Sequence, residues 1–157
     1  GYTPLHIVCN HKNNEKAIDV LLNHKAIVNY SIKNGRIPLH EACRKKNNDN
    51  AIKLLLKHNA NVHEKDEKGK TPFHFICNIE NFENGIELLL KYNADVNVKD
   101  CKGNTPLHYA CACKNNEKGI DLLLKNHANV NEKNEKGRTP LIFACQIEHN
   151  EKAIETL

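Results

Sequence analysis

Apolar residues come in short bursts that return at a fixed interval. Leu54-Leu55-Leu56, Leu88-Leu89-Leu90 and Leu122-Leu123-Leu124 are each 34 residues apart, with Val20-Leu21-Leu22 one interval upstream. Ahead of each burst stands a second marker: Thr3-Pro4-Leu5-His6, Ile37-Pro38-Leu39-His40, Thr71-Pro72-Phe73-His74, Thr105-Pro106-Leu107-His108 and Thr139-Pro140-Leu141-Ile142. Thr accepts a hydrogen bond at a helix N-cap and Pro suits the first helical position, so a short helix begins at each Pro. It is expected to end near Lys12-Asn13, Lys46-Asn47 and Lys114-Asn115. A second helix runs from about Glu15, Asp49, Glu83 and Glu117 through the leucines, its acidic first turn complementing the helix dipole. It closes at Lys25, Asn59, Asn93 and His127, where Asn tolerates the left-handed backbone. Segments such as Asp66-Glu67-Lys68-Gly69 then read as turns.

Helices this short are marginal alone in water. Each unit must therefore bury its Leu, Ile and Ala face against the next, which makes a quasi-linear stack. The order of turn, Thr-Pro-Leu-His, Ala-Cys and Leu-Leu-Leu resembles the ankyrin repeat over the whole chain. The resemblance implies an all-α solenoid, a helix–turn–helix plus a β-hairpin-like loop per repeat. One domain of about four and a half repeats is expected, at roughly 1–32, 34–66, 68–100, 102–134 and 136–157. The usual unit has about 33 residues; the extra one here falls between the two helices. Ile37 lacks the capping hydroxyl, and Gly85 and Gly119 stand where Ala17, Ala51 and Ala153 occur, so an added methyl is expected to fit. With no Met, and with Leu157 in the middle of the leucine row, the chain reads as an excerpt of a longer polypeptide.

Composition narrows the chemistry. A hydrophobic fraction of 39% with 5% aromatics is lean for one large core and suits a thin stack. Five of the seven cysteines (Cys9, Cys43, Cys77, Cys111, Cys145) are one position seen five times, and free Cys serves there as a small buried hydrophobe. Cys101 and Cys113 remain, and are expected to be exposed on one face. His6, His40, His74 and His108 form a second ladder. One stacked His per unit cannot converge on a metal ion, and the resemblance implies that these rings hydrogen-bond between neighbouring turns. No phosphate-cradling loop or nucleophile motif is present, so neither cofactor nor enzyme activity is expected. The frequent Lys-Asn-Asn runs read as compositional bias.

The remaining signal is a surface. In ankyrin-type stacks partners meet the turn tips and the exposed end of the first helix. Mapped unit by unit, the candidate partner-binding residues are Tyr2 and His11; Lys33, Arg36, Arg44 and Lys45; Lys68, Lys70 and Ile79; Lys102 and Asn104; and Lys136 and Arg138. Counted with Glu67 and Glu135 that face carries +7 against +4 for the whole chain. Such polarity attracts acidic partners. The expectation is a monomeric, cytoplasmic or nuclear protein-binding scaffold for an acidic segment of a partner protein. The alternative is an accessory nucleic-acid surface, for which only Tyr2 offers a ring for stacking.

Overall fold

In the computed structural model, residues 1–80, 83–147 and 150–157 are described. Among them are ten short helices and no strand. The first of each pair is α1 (Pro4–Cys9), α3 (Pro38–Ala42), α5 (Pro72–Cys77), α7 (Pro106–Cys111) and α9 (Pro140–Cys145). The second is α2 (Glu15–Asn23), α4 (Asp49–Lys57), α6 (Glu83–Lys91), α8 (Glu117–Lys125) and α10 (Glu151–Thr156). First helices pack on first helices and second on second, which gives two layers running the length of the stack. The first helices stop sooner than the sequence reading expects. In units one, two and four the extra residue is absorbed just beyond them by a left-handed Asn: Asn13, Asn47 and Asn115, at φ 59°, 60° and 53°. Lys25, Asn59, Asn93 and His127 are left-handed as well and close the second helices.

Among the described residues, two kinds of buried bond and one exposed kind tie unit to unit. In each histidine of the ladder, Nδ1 accepts the N–H of the residue three positions back, at 3.1 Å for Ile37, 3.0 Å for Thr71 and 3.1 Å for Thr105. That places the ring proton on Nε2, which donates to a carbonyl of the following unit: Arg36 from His6, Lys70 from His40, Asn104 from His74 and Arg138 from His108, at 3.0–3.2 Å. A second row was missed in the sequence. The Asn that ends each Lys-Asn-Asn run is buried at Asn48 and Asn116, and so is Asn150 in unit five. Asn48 donates to the carbonyls of Cys9 and Ala42, Asn116 to those of Cys77 and Ala110, and Asn150 to those of Cys111 and Ala144. One amide thus clamps two consecutive first helices, so compositional bias is not the whole account of these runs. Third, the exposed Asn29 and Asn97 each donate to the carbonyl of the left-handed residue that follows the next second helix, Asn59 and His127, and accept the N–H two residues beyond it.

The turn tips are hairpin-like in hydrogen bonding. Each closes on itself, as from Asp66 N–H to the Lys70 carbonyl, and leans on its neighbour, as from Cys101 N–H to the Lys68 carbonyl. Gly69 is needed at this contact. Its φ is 71°, and a methyl there would lie 2.8 Å from the amide nitrogen of Cys101.

Several expectations are corrected. Ile37 does not merely lack a cap; it is fully buried and packs in the core. Among its counterparts, the Thr3 hydroxyl accepts the His6 N–H at 3.4 Å, while those of Thr71 and Thr105 lie against His Nδ1. A methyl on Gly119 would come within 2.3 Å of Asn116 Oδ1, so the site is not open. Four cysteines of the ladder are buried but Cys145 is exposed, and Cys113, expected on the surface, is buried.

Candidate partner-binding face

Two rows of side chains line the inner side of the stack, one from the residue before each Thr-Pro (or Ile-Pro) and one from the residue after the ladder position. The first row is Tyr2, Arg36, Lys70, Asn104 and Arg138; the second is Ile7, Glu41, Phe75, Tyr109 and Phe143. The second row was not anticipated. Its rings pack edge-on against the histidine of the preceding unit: Phe75 on His40 at 5.6 Å, Tyr109 on His74 at 5.6 Å and Phe143 on His108 at 5.2 Å. Unit two has Glu41 there, and Tyr30 approaches His6 instead, at 6.4 Å. The signal was available: the same 34-residue step that gives the ladder also gives its neighbour in the helix.

Glu41 changes the electrostatics of units two and three. Its carboxylate is fully buried. Arg44 reaches Oε2 at 2.8 Å and Arg36 faces Oε1 at 3.6 Å. Arg36 is also 3.6 Å from Asp66 Oδ2, and its guanidinium lies 5.0 Å from the centre of the Phe75 ring. Arg36 and Arg44 are therefore committed to the fold, in a network with no net charge. Lys70 is half-buried, with Nζ 4.3 Å from the Tyr109 ring centre and 5.8 Å from that of Phe75. Burial lowers its pKa, against the raising influence of Asp100 and Asp66. Asp100 is nearly buried; burial alone would raise its pKa, but the Tyr109 hydroxyl, which donates to it at 2.6 Å, and the N–H groups of Asn104 and Lys102 hold it below the ordinary value.

The predicted face therefore divides. Tyr2, His11, Lys33, Arg44, Lys68, Lys102, Lys136 and Arg138 are exposed, and Lys45 is half-exposed. Arg36 and Lys70 are half-buried and engaged, while Ile79 and Asn104 are buried. Counting the three carboxylates that the sequence reading left off the face, Glu41, Asp66 and Asp100, gives nine cations against five anions, +4 and not +7. The rest of the chain is then neutral. Tyr2 is also not the only ring present, although Arg36 and Lys70 lie over Phe75 and Tyr109.

The ladder histidines have both ring nitrogens engaged by backbone. Burial lowers their pKa against the raising effect of the accepting carbonyl, to about 4 in His40 and His74. Burial likewise pushes the thiols of Cys43 and Cys77 well up and that of Cys111 to about 12. Neutral rings and unionised thiols at these positions belong to packing. Among the described residues, no helix is long and apolar enough to cross a membrane.

Short paired helices, a histidine ladder between turns and leaning hairpin tips define a helical repeat solenoid. The sequence profile for ankyrin repeats (3 copies) matches residues 1–66 and 45–134, and the chain belongs to the ankyrin repeat family. A search among curated proteins gave no match. Ankyrin repeats are generally protein–protein interaction modules and are typically non-catalytic.

Proposed function

We propose that this chain is a non-catalytic protein-interaction module that holds an acidic segment of a partner protein along its hairpin tips and inner face. It acts as a monomer in a reducing compartment, the cytoplasm or nucleus. The observation that carries the acidic reading is the set of tip lysines: Lys33, Lys68, Lys102 and Lys136 are exposed on one rim and form no ion pair among the described residues. Arg36 and Arg44 do not carry it, because their charge is answered within the fold. The cationic covering of Phe75 and Tyr109 also leaves little free ring for base stacking, which favours protein over nucleic acid.

The test is association kinetics with a labelled oligoglutamate peptide. Reversing Lys33, Lys68, Lys102 and Lys136 to Glu should slow association, because steering acts on the on-rate. Reversing the exposed Lys16, Lys53, Lys118 and Lys152 should not. Added salt should mimic the first set by shortening the screening length. Equal retention by both variants overturns the reading. Tighter binding to random single-stranded DNA than to the peptide, with a steep salt slope, assigns the face to nucleic acid.

A further inference from the structure

Unit four departs from its neighbours at the far end of the first helix. Unit two carries Arg44-Lys45 there, unit three Asn78-Ile79 and unit five Gln146-Ile147; unit four carries Ala112-Cys113. The two short side chains open a groove of about 590 Å3 between units three and five. Its floor is Ile79, Cys113 and Ile147. Ile79 and Cys113 are held at 9% exposure, so their apolar surface is present but mostly covered. The Cys113 thiol stays neutral, its pKa pushed up to about 11 by burial, with Glu80 adding to it. Around the floor stand three cations and one anion. Arg44 is bonded to Glu41, Lys46 is paired with Glu80 at 2.8 Å, and Lys114 is exposed with no ion pair among the described residues.

We propose that this groove receives one aliphatic or aromatic side chain of the partner, borne on a segment whose neighbouring residues are carboxylates. The inference rests on the acidic reading above and adds to it the anchor and its position. An apolar side chain gains by leaving water for the Ile79–Cys113–Ile147 floor. A carboxylate beside it meets Lys114, the cation of this rim whose charge is not answered by an ion pair among the described residues. This is the arrangement of a well-covered anchor within a polar rim that concentrates affinity in protein interfaces. The tip lysines then act mainly in encounter, and the groove in retention.

The experiment compares three labelled peptides by fluorescence anisotropy: glutamates around a central leucine, the same peptide with serine for leucine, and the leucine peptide with lysines for glutamates. The leucine–glutamate peptide should bind roughly tenfold or more tighter than the serine one, the worth of burying one such side chain. Ala112→Gln, which installs the residue of unit five, should remove that advantage and leave the serine peptide unchanged. Ile79→Lys, the residue of unit two, should do the same, so the test does not hang on one variant; urea midpoints show that each is folded. Equal affinity for the leucine and serine peptides, or equal loss of both in the folded variants, overturns the anchor while the acidic reading stands. Equal binding of the lysine peptide overturns the acidic reading, and the anchor with it.

Discussion

Units two and four share a backbone frame yet treat their side chains in two opposite ways. At the buried rows they are nearly alike. His40 and His108 bridge to the next turn with the same atoms, and Asn48 and Asn116 clamp equivalent carbonyls. On the inner face they share almost nothing. Unit two presents Arg36, Glu41, Arg44 and Lys45, a charge network largely closed on itself. Unit four presents Asn104, Tyr109, Ala112 and Cys113, a ring and a depression. Rows that repeat are the ones bonded to a neighbouring unit's backbone, where every unit meets the same geometry. Rows that vary meet no such constraint and are free to encode a partner. Substitutions should accordingly cost much in the repeating rows and little in the varying ones.

The largest expected effect is that of acid on the histidine rows. His40 and His74 have folded pKa values of about 4 against an ordinary 6.5, and His6 and His108 are lowered too, burial being the main cause in all four. As pH falls, the unfolded chain takes up protons first. The contribution is complete above the unfolded value and is lost as pH falls towards the folded one. His40 and His74 should each surrender about 2 kcal/mol between about pH 6.5 and about pH 5. Urea midpoints across that range should fall steeply. A flat profile would mean that the rings are not held neutral, and that the ladder is weaker than its geometry implies.

Next comes the asparagine row. Asn48→Ala removes two amide donors from the buried carbonyls of Cys9 and Ala42, and should cost about 2–3 kcal/mol. Asn50→Ala, two residues on, removes one long exposed bond to Glu15 and should cost less than about 0.5 kcal/mol. Denaturant midpoints of the two variants measure the contrast directly. Similar losses would erase the distinction between clamping and surface asparagines.

These rows also show what the sequence made legible. The period, the paired helices, the left-handed closures and the bridging histidines follow from local signals: a Pro at a helix start, an Asn at its end, a marker every 34 residues. The resemblance to a known repeat supplied the role of the histidines. Asn48 escaped because its second partner, the Cys9 carbonyl, is 39 residues away, and a polar residue in a polar run looks like a loop. Glu41 escaped for a related reason. A charged residue on a short helix reads as exposed, and only the arginines brought in at 36 and 44 make its burial tolerable. The charge of the face was misjudged by the same omission.

A smaller effect, of opposite sign, is expected where the frame is strained. His127 and Lys25 have φ of 66° and 62°, a backbone that costs most side chains roughly 1–2 kcal/mol. Both are exposed. The bond that His127 makes to Asn97 uses its carbonyl, which glycine keeps. His127→Gly should therefore raise stability by about 1 kcal/mol, read from a higher urea midpoint. A fall would show that the imidazole contributes a contact of its own to the junction of units three and four.

The smallest effect is expected at Gly119, beside the clamp of unit four. Replacing a helical glycine by alanine gains about 1 kcal/mol when the methyl finds space. Here the methyl would meet Asn116 Oδ1 at 2.3 Å and Ile86 Cδ1 at 3.1 Å. Asn116 must turn for it to fit. Ala51 beside Asn48 in unit two shows that the pair can coexist, and Asn48 bonds its carbonyls at 3.0 and 3.2 Å where Asn116 spans 3.3 and 3.4 Å. Re-seating Asn116 to the geometry of Asn48 thus keeps the clamp, while crowding of Ile86 offsets part of the helical gain. Gly119→Ala should change stability by less than about 0.5 kcal/mol in either direction. A gain of the full propensity difference would mean that the clamp of unit four adjusts freely to that of unit two. A loss well beyond that bound would mean that the two units, alike in their bonding partners, hold their asparagines in geometries that cannot be exchanged.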